Sequence, residues 1–94
     1  MMFTIIPGKF PAGRIVLTPG ALAALSSDDV GTGLARHMTG DWGDLDDHDR
    51  KVNDAALQHG FRLFSQYTTS GGTKFRIITE YDRSLTIILL ANKP

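Results

Sequence analysis

The sequence predicts a single α+β domain over residues 1–94, with a strand and helices first and a three-stranded antiparallel β-meander last. Three observations carry this reading. Residues 47–59 place apolar side chains at helical spacing between a run of aspartates and Gly60, the pattern of a capped helix. Residues 61–91 fall into three short alternating runs, separated by turn residues at Ser70–Gly72 and at Tyr81–Ser84. Ninety-four residues, 41% of them apolar and 21% charged, suffice for one hydrophobic core and make disorder a poor description.

From the start of the chain, Phe3–Ile6 reads as a short strand, and Pro7, Gly8, Pro11 and Gly13 then interrupt regular structure. Arg14–Leu17 is β-branched and short, a second strand expected to pair with residues 3–6. Thr18-Pro19-Gly20 is a helix start, because a threonine oxygen accepts the orphan amides and proline suits the first helical position. A short helix through Ala21–Leu25 follows. Ser26–Asp29 offers another cap, after which Val30, Leu34, His37 and Met38 recur at helical spacing, weakened by Gly31 and Gly33.

Asp44 or Asp46 caps the next helix, Asp47 to His59, with Gly60 at its C-terminal side. Leu45, Val52, Ala55, Ala56 and His59 are the expected buried face, with Lys51 and Asp54 outward. Asn53 is expected to face water, the alternative being a hydrogen bond to the neighbouring loop. In the meander, Phe75, Ile77 and Thr79 alternate with Lys74, Arg76, Ile78 and Glu80, and the last strand is apolar on both sides. One sheet face should pack on the helices. The other, with Phe64, Ile78, Ile88 and Leu90, is then open to the N-terminal segment or to a second copy, a homodimer through the sheet face.

Charge is segregated although the net charge is zero. Asp28 to Asp54 holds eight acids and three bases, and the rest of the chain two acids and seven bases. Such asymmetry concerns partners and steering rather than fold. The acidic block centres on Asp41, Trp42, Asp44, Asp46, Asp47 and Asp49, the candidate partner-binding residues. Trp42, between two glycines, reads either as an anchor closing its loop onto the core or as an exposed hot spot beside an acidic rim. A second candidate surface is basic: Arg62, Lys74, Arg76 and Arg83 belong to the sheet, interleaved with Phe61, Phe64, Tyr67 and Phe75, like an aromatic platform for nucleic acid.

Catalytic and metal chemistry find little support. There is no cysteine, His37, His48 and His59 fall on different elements, and the acids lack the spacing of a calcium loop. Ser65, Ser70 and Ser84 have no nucleophile-elbow context and no histidine tied to them by spacing. Glu80–Ser84 reads as ordinary turn chemistry. The expectation is therefore no catalytic residue, no metal and no cofactor. A small metal-dependent enzyme at the Asp/His segment is the remoter alternative. The longest apolar run, Ile87–Ala91, is too short to cross a bilayer and no leader-like start is present, so a cytoplasmic protein is expected.

The segments Gly40–Asp44 (GDWGD), Asn53–Leu57 (NDAAL), Arg62–Tyr67 (RLFSQY), Lys74–Glu80 (KFRIITE), Asp82–Ser84 and Ile88–Leu90 carry a resemblance. In order and spacing they resemble a family of small bacterial proteins borne on plasmids, prophages and integrated elements, often labelled "plasmid-related protein". The resemblance covers residues 14–90. It departs at the tail Ala91–Pro94, where related chains finish in a proline, acids and a tyrosine. It implies no activity, cofactor or catalytic residue. It does imply a mobile-element setting, in which small proteins commonly counter host defence. Together with the acidic block, this makes the expected function that of a protein-binding inhibitor, anti-CRISPR or anti-restriction, directed at a basic nucleic-acid-binding complex. The alternative is a nucleic-acid-binding accessory protein using the basic sheet.

Overall fold

The computed structural model describes residues 8–91. Its elements are β1 (Arg14–Leu17), α1 (Pro19–Ala24), α2 (Ser27–Met38), α3 (Asp47–His59), β2 (Leu63–Thr68), β3 (Lys74–Thr79) and β4 (Leu85–Leu90). The α+β reading holds, with one more strand in the sheet than the meander supplies: the order is β1-β4-β3-β2. β2, β3 and β4 pair antiparallel as expected, and β1 joins β4 in parallel, Arg14 opposite Leu85 and Leu17 opposite Ile88. The sequence expectation had β1 paired with residues 3–6, which lie outside the described residues. The double-sided apolar pattern of β4 explains what is seen, since a strand buried among neighbours reads apolar on both faces.

The helix ends follow local chemistry. Thr18 caps α1, its hydroxyl accepting from the Ala21 amide, with proline at the first position. Ser26 and Asp29 form a reciprocal capping box on α2. Asp46, rather than Asp44, caps α3 by accepting from the Asp49 amide at 2.8 Å, and Gly60 closes it in the left-handed conformation. Gly33 explains itself by packing: a Cβ there would sit 2.9 Å from the Phe75 ring, so glycine lets α2 lie close on the sheet.

All three helices pack on one face. Ala21, Leu25, Tyr67, Phe75, Ile77 and Ile88 form one buried cluster, and Phe10, Trp42, Leu45, Ala56 and Leu63 form the other. The pairing of Ile77 with Ile88 and of Phe75 with Leu90 fixes which β4 residues face inward. Ile88 and Leu90 therefore belong to the helix side, contrary to expectation, and Ile88 is fully buried. The opposite face carries a row of apolar side chains set by register: Val16 beside Ile87, Ile87 beside Ile78, Ile78 beside Phe64. Leu85 and Leu89 flank it on β4.

α3 turns a different stripe inward than expected. Val52, Ala55 and His59 are exposed, whereas Asn53 and Ala56 are buried. The reason is hydrogen bonding rather than hydrophobicity. Asn53 Nδ2 donates to the Phe64 carbonyl at 2.6 Å and its Oδ1 accepts from the Phe64 amide at 3.0 Å, satisfying the outer edge of β2. An asparagine placed there acts as one residue of an extra strand.

Asn53→Ala removes both bonds and is expected to cost about 2–4 kcal/mol, because two edge groups lose their partners. Val52→Ala, one residue away and exposed, should change stability by about 0.5 kcal/mol or less. Denaturant unfolding of both variants checks which residue α3 presents to the sheet; equal losses would contradict this orientation.

Candidate functional site

Most carboxylates of the acidic block serve the fold. Asp41 pairs with Arg36, Oδ2 to Nε at 2.8 Å, and its Oδ1 accepts from the Gly43 amide. The Arg36 hydrogen bonds hold the Asp41 carboxyl below the usual range, and the pairing in turn raises the guanidinium. The Asp44 carboxylate accepts from Thr68 Oγ1 at 2.7 Å, Asp46 caps α3, and Asp54 accepts from the Trp42 indole at 2.9 Å. Asp28, Asp47 and Asp49 remain without such structural duties: Asp47 touches only Arg50, at 3.7 Å, and is nearly fully exposed.

Asp28 and Asp29, at the start of α2, border an open groove of about 240 Å³ with Arg36, Tyr67, Ser70 and Phe75. Asp44, leading into α3, reaches the neighbouring Thr68. α2 thus starts beside the β2–β3 hairpin, the loop leading into α3 reaches β2, and carboxylates in the first turns of both helices complement the helix dipoles.

Trp42 is the loop anchor of the two readings. It is 3% exposed, its ring stands edge-on to His37, and its carbonyl receives the Gln66 amide while the Asp44 amide bonds the Gln66 carbonyl. The loop is therefore stitched along β2, and Trp42 is not available as an exposed contact. Gly43 makes this approach feasible: it has φ +74°, and a side chain there would strike the Gln66 carbonyl and the Tyr67 ring. The Tyr67 hydroxyl donates to the Asp41 carbonyl at 2.7 Å and is pushed up to about 12 by burial, with Arg36 stacked 4.7 Å from its ring.

The basic candidates separate. Arg62, Lys74 and Arg76 lie on the open sheet face, where Arg62 meets Glu80 at 3.3 Å and Arg76 donates to Gln66 at 3.0 Å. Arg83 instead turns back to the carbonyls of Phe61, Glu80 and Ala56 and stacks over Phe10. Tyr67 and Phe75 are buried beneath the helices, so of the interleaved aromatics only Phe64 shares the open face with these bases, and Phe61 stands exposed ahead of β2. At the hairpin tip, Asp82 accepts from the Ser84 amide and hydroxyl, which holds its carboxyl low and is ordinary turn chemistry.

Sequence spacing missed one constellation. Ser65 Oγ lies 2.6 Å from His37 Nδ1, and His37 Nε2 lies 2.9 Å from Thr79 Oγ1. Thr79 continues to Thr86 at 2.8 Å, and Thr86 donates to the Ala12 carbonyl at 2.7 Å. A carbonyl only accepts, so the direction of the whole chain is set from that end. Thr86 gives its proton to Ala12, Thr79 to Thr86, His37 Nε2–H to Thr79, and Ser65 to His37 Nδ1. The serine–histidine contact has the distance of a nucleophile and base, yet all four side chains are fully buried. No substrate reaches Ser65, and the arrangement is structural. The helical stripe containing His37 was legible in sequence; its strand partners were not.

His48 and His59 stand exposed on α3, and among the described residues no three His, Asp or Glu side chains are grouped to hold a metal. No described helix is long and apolar enough to cross a membrane. Comparison with protein-family models, with curated proteins and with solved structures gives no match.

Two outcomes follow from this geometry. Burial lowers the His37 pKa from 6.5 to about 4, with Arg83 adding a smaller repulsion. The unfolded chain therefore binds this proton at a higher pH than the folded one. Stability should be unaffected by His37 above about pH 6.5 and fall as pH drops from there to about 4, by up to about 3 kcal/mol. Subtracting the unfolding curve of His37→Gln from that of the parent isolates this slope, and a flat difference would contradict it. Trp42, the sole tryptophan, should emit at short wavelength and shift red only on unfolding; a water-like maximum in the native state would contradict its burial.

Proposed function

We propose that this chain is a protein-binding module that acts through the acidic end built from the N-termini of α2 and α3. In the mobile-element setting that the sequence resemblance implies, it serves as an inhibitor of host defence, of the anti-CRISPR or anti-restriction kind. The supporting observation is that Asp28, Asp47 and Asp49, in the first turns of α2 and α3, stay unpaired or weakly paired and exposed or half-exposed, where no core or cap requires them. Carboxylates arrayed in this way resemble phosphates to a basic, nucleic-acid-binding surface, and long-range attraction speeds encounter at low salt. Of the residues singled out in the sequence, Asp47 and Asp49 remain the direct contacts, Asp28 joins them, and Asp41, Asp44 and Asp46 act by holding the end in shape.

The competing nucleic-acid reading draws less from the geometry. Arg83 is engaged by carbonyls, Arg62 is neutralised by Glu80, and the platform aromatics Tyr67 and Phe75 face inward. Lys74 and Arg76 alone are a thin phosphate track.

The test is inhibition of DNA binding by purified CRISPR effector and restriction complexes. Replacing Asp28, Asp47 and Asp49 together by asparagine spares every cap and should leave stability within about 1–2 kcal/mol, the lost dipole interactions. It should slow association with the target complex at least tenfold at low salt and flatten its salt dependence. Unchanged association by a folded triple variant would overturn the acidic-end reading. Salt-dependent binding of the parent chain to random DNA would favour the sheet instead.

A further inference from the structure

The two layers of this domain differ in charge. The acids of α2 and α3 belong to the helix layer. On the opposite face of the sheet lie Arg14, Arg62, Lys74 and Arg76 with one acid, Glu80, which Arg62 meets at 3.3 Å. Arg76 donates to the neutral Gln66 amide and keeps its charge. Arg14, Lys74 and Arg76 meet no carboxylate among the described residues.

These bases border an apolar centre. The Val16–Ile87–Ile78–Phe64 row crosses all four strands, and Leu85 and Leu89 stand on either side of Ile87 along β4. Arg14 lies beside Leu85 and Arg76 beside Leu89, with Lys74 two residues before Arg76 on the same face. Val16 is 37% exposed, and the other five apolar side chains are half-exposed. An apolar centre with charged residues around it is the anatomy of a contact surface.

We propose that this face seats one amphipathic helix of a partner protein, its aliphatic residues on the row and its acids against Arg14, Lys74 and Arg76. Charge selects the occupant. Closing the face on a second copy would set base against base around the row. Residues 1–7 and 92–94 contain no acid, so neither end of the chain complements these bases. Nucleic acid suits the charge but not the centre, which is aliphatic apart from Phe64 and gives bases little to stack on.

Size selects a single helix. Four strands about 4.8 Å apart, each of six residues rising about 3.3 Å apiece along β2 to β4, make a face of about 15 by 20 Å. A helix is about 10–12 Å across and rises about 1.5 Å per residue, so about three turns cover it. The same sheet already packs helices on its other face, and a second helical layer is a standard way to complete such an architecture. The inference does not rest on the acidic first turns of α2 and α3, which lie in the other layer.

A library of random helical peptides of about 14 residues, selected on the full chain, supplies the probe. Peptides that occupy the face should carry aliphatic residues at helical spacing with Asp or Glu beside them. Replacing Lys74 and Arg76 together by glutamate should weaken these peptides on the order of tenfold or more. Both positions are exposed, so that variant should unfold at the parent's denaturant midpoint. The bound peptides should shift the amide resonances of β3 and β4, and the Asp28, Asp47 and Asp49 to asparagine variant should not weaken them. The proposal is overturned if no recovered peptide senses the Lys74/Arg76 change, or if those that do are basic. Binding of single-stranded DNA or of phosphatidylglycerol vesicles through Lys74 and Arg76, with no acidic peptide recovered, would overturn it in favour of another class of partner.

Discussion

His37 is where the separate parts of this domain are joined. Its ring comes from α2, takes a proton from Ser65 on β2, gives one to Thr79 on β3, and through Thr86 on β4 reaches the carbonyl of Ala12 ahead of β1. Phe10 and Trp42 both stand edge-on to the same ring. Five segments therefore meet at one imidazole. Buried polar groups are costly singly and specific when fully satisfied, because each member fits only if the others are in register. No buried side-chain polar atom among the described residues lacks a partner, so the chain has the satisfied form. Apolar packing supplies the driving force around it, while the hydroxyl chain selects one arrangement of strands beneath α2.

The same economy governs the surface. A block of eight acids invites a purely electrostatic reading, but five of them cap a helix, hold a loop or fasten a strand edge. What distinguishes Asp28, Asp47 and Asp49 is the lack of such a role, not their charge. The open sheet face shows the converse. Its bases are partly neutralised in place, and its apolar row leads from β2 to β1, the strand at the other end of the sheet.

Legibility in the sequence was uneven for physical reasons. Caps, turns and strand parity depend on residues close together in the chain, so Thr18, Ser26, Asp46 and Gly60 announced the helix ends, and the three runs after Phe61 became the meander. Asn53 was misread because periodicity weighs hydrophobicity, and an amide that completes a sheet edge looks like a solvent-facing residue. The parity of β4 was misassigned because a strand apolar on both sides does not say which face is which; the pairing of Ile77 with Ile88 does. The partner of β1 and the Ser65–His37 contact depend on distant segments, and no local pattern encodes them. Trp42 was legible only as a choice between core and contact, and its place beneath α2 decides that choice.

The parallel pairing of β1 with β4 has a kinetic consequence. Arg14 and Leu85 stand about seventy residues apart in sequence, yet they are neighbours in the sheet. The helices and the meander rest on local contacts, whereas closing this loop incurs its chain entropy before any ladder bond repays it. β4 emerges from synthesis long after β1, so the early strand has no sheet to join until almost all the described chain has been made. During that interval Ile15, Val16 and Leu17 are a bare apolar strand. The arrival of β4 is what converts a nascent helical chain into a domain, and it supplies the one strand partner that β1 has among the described residues.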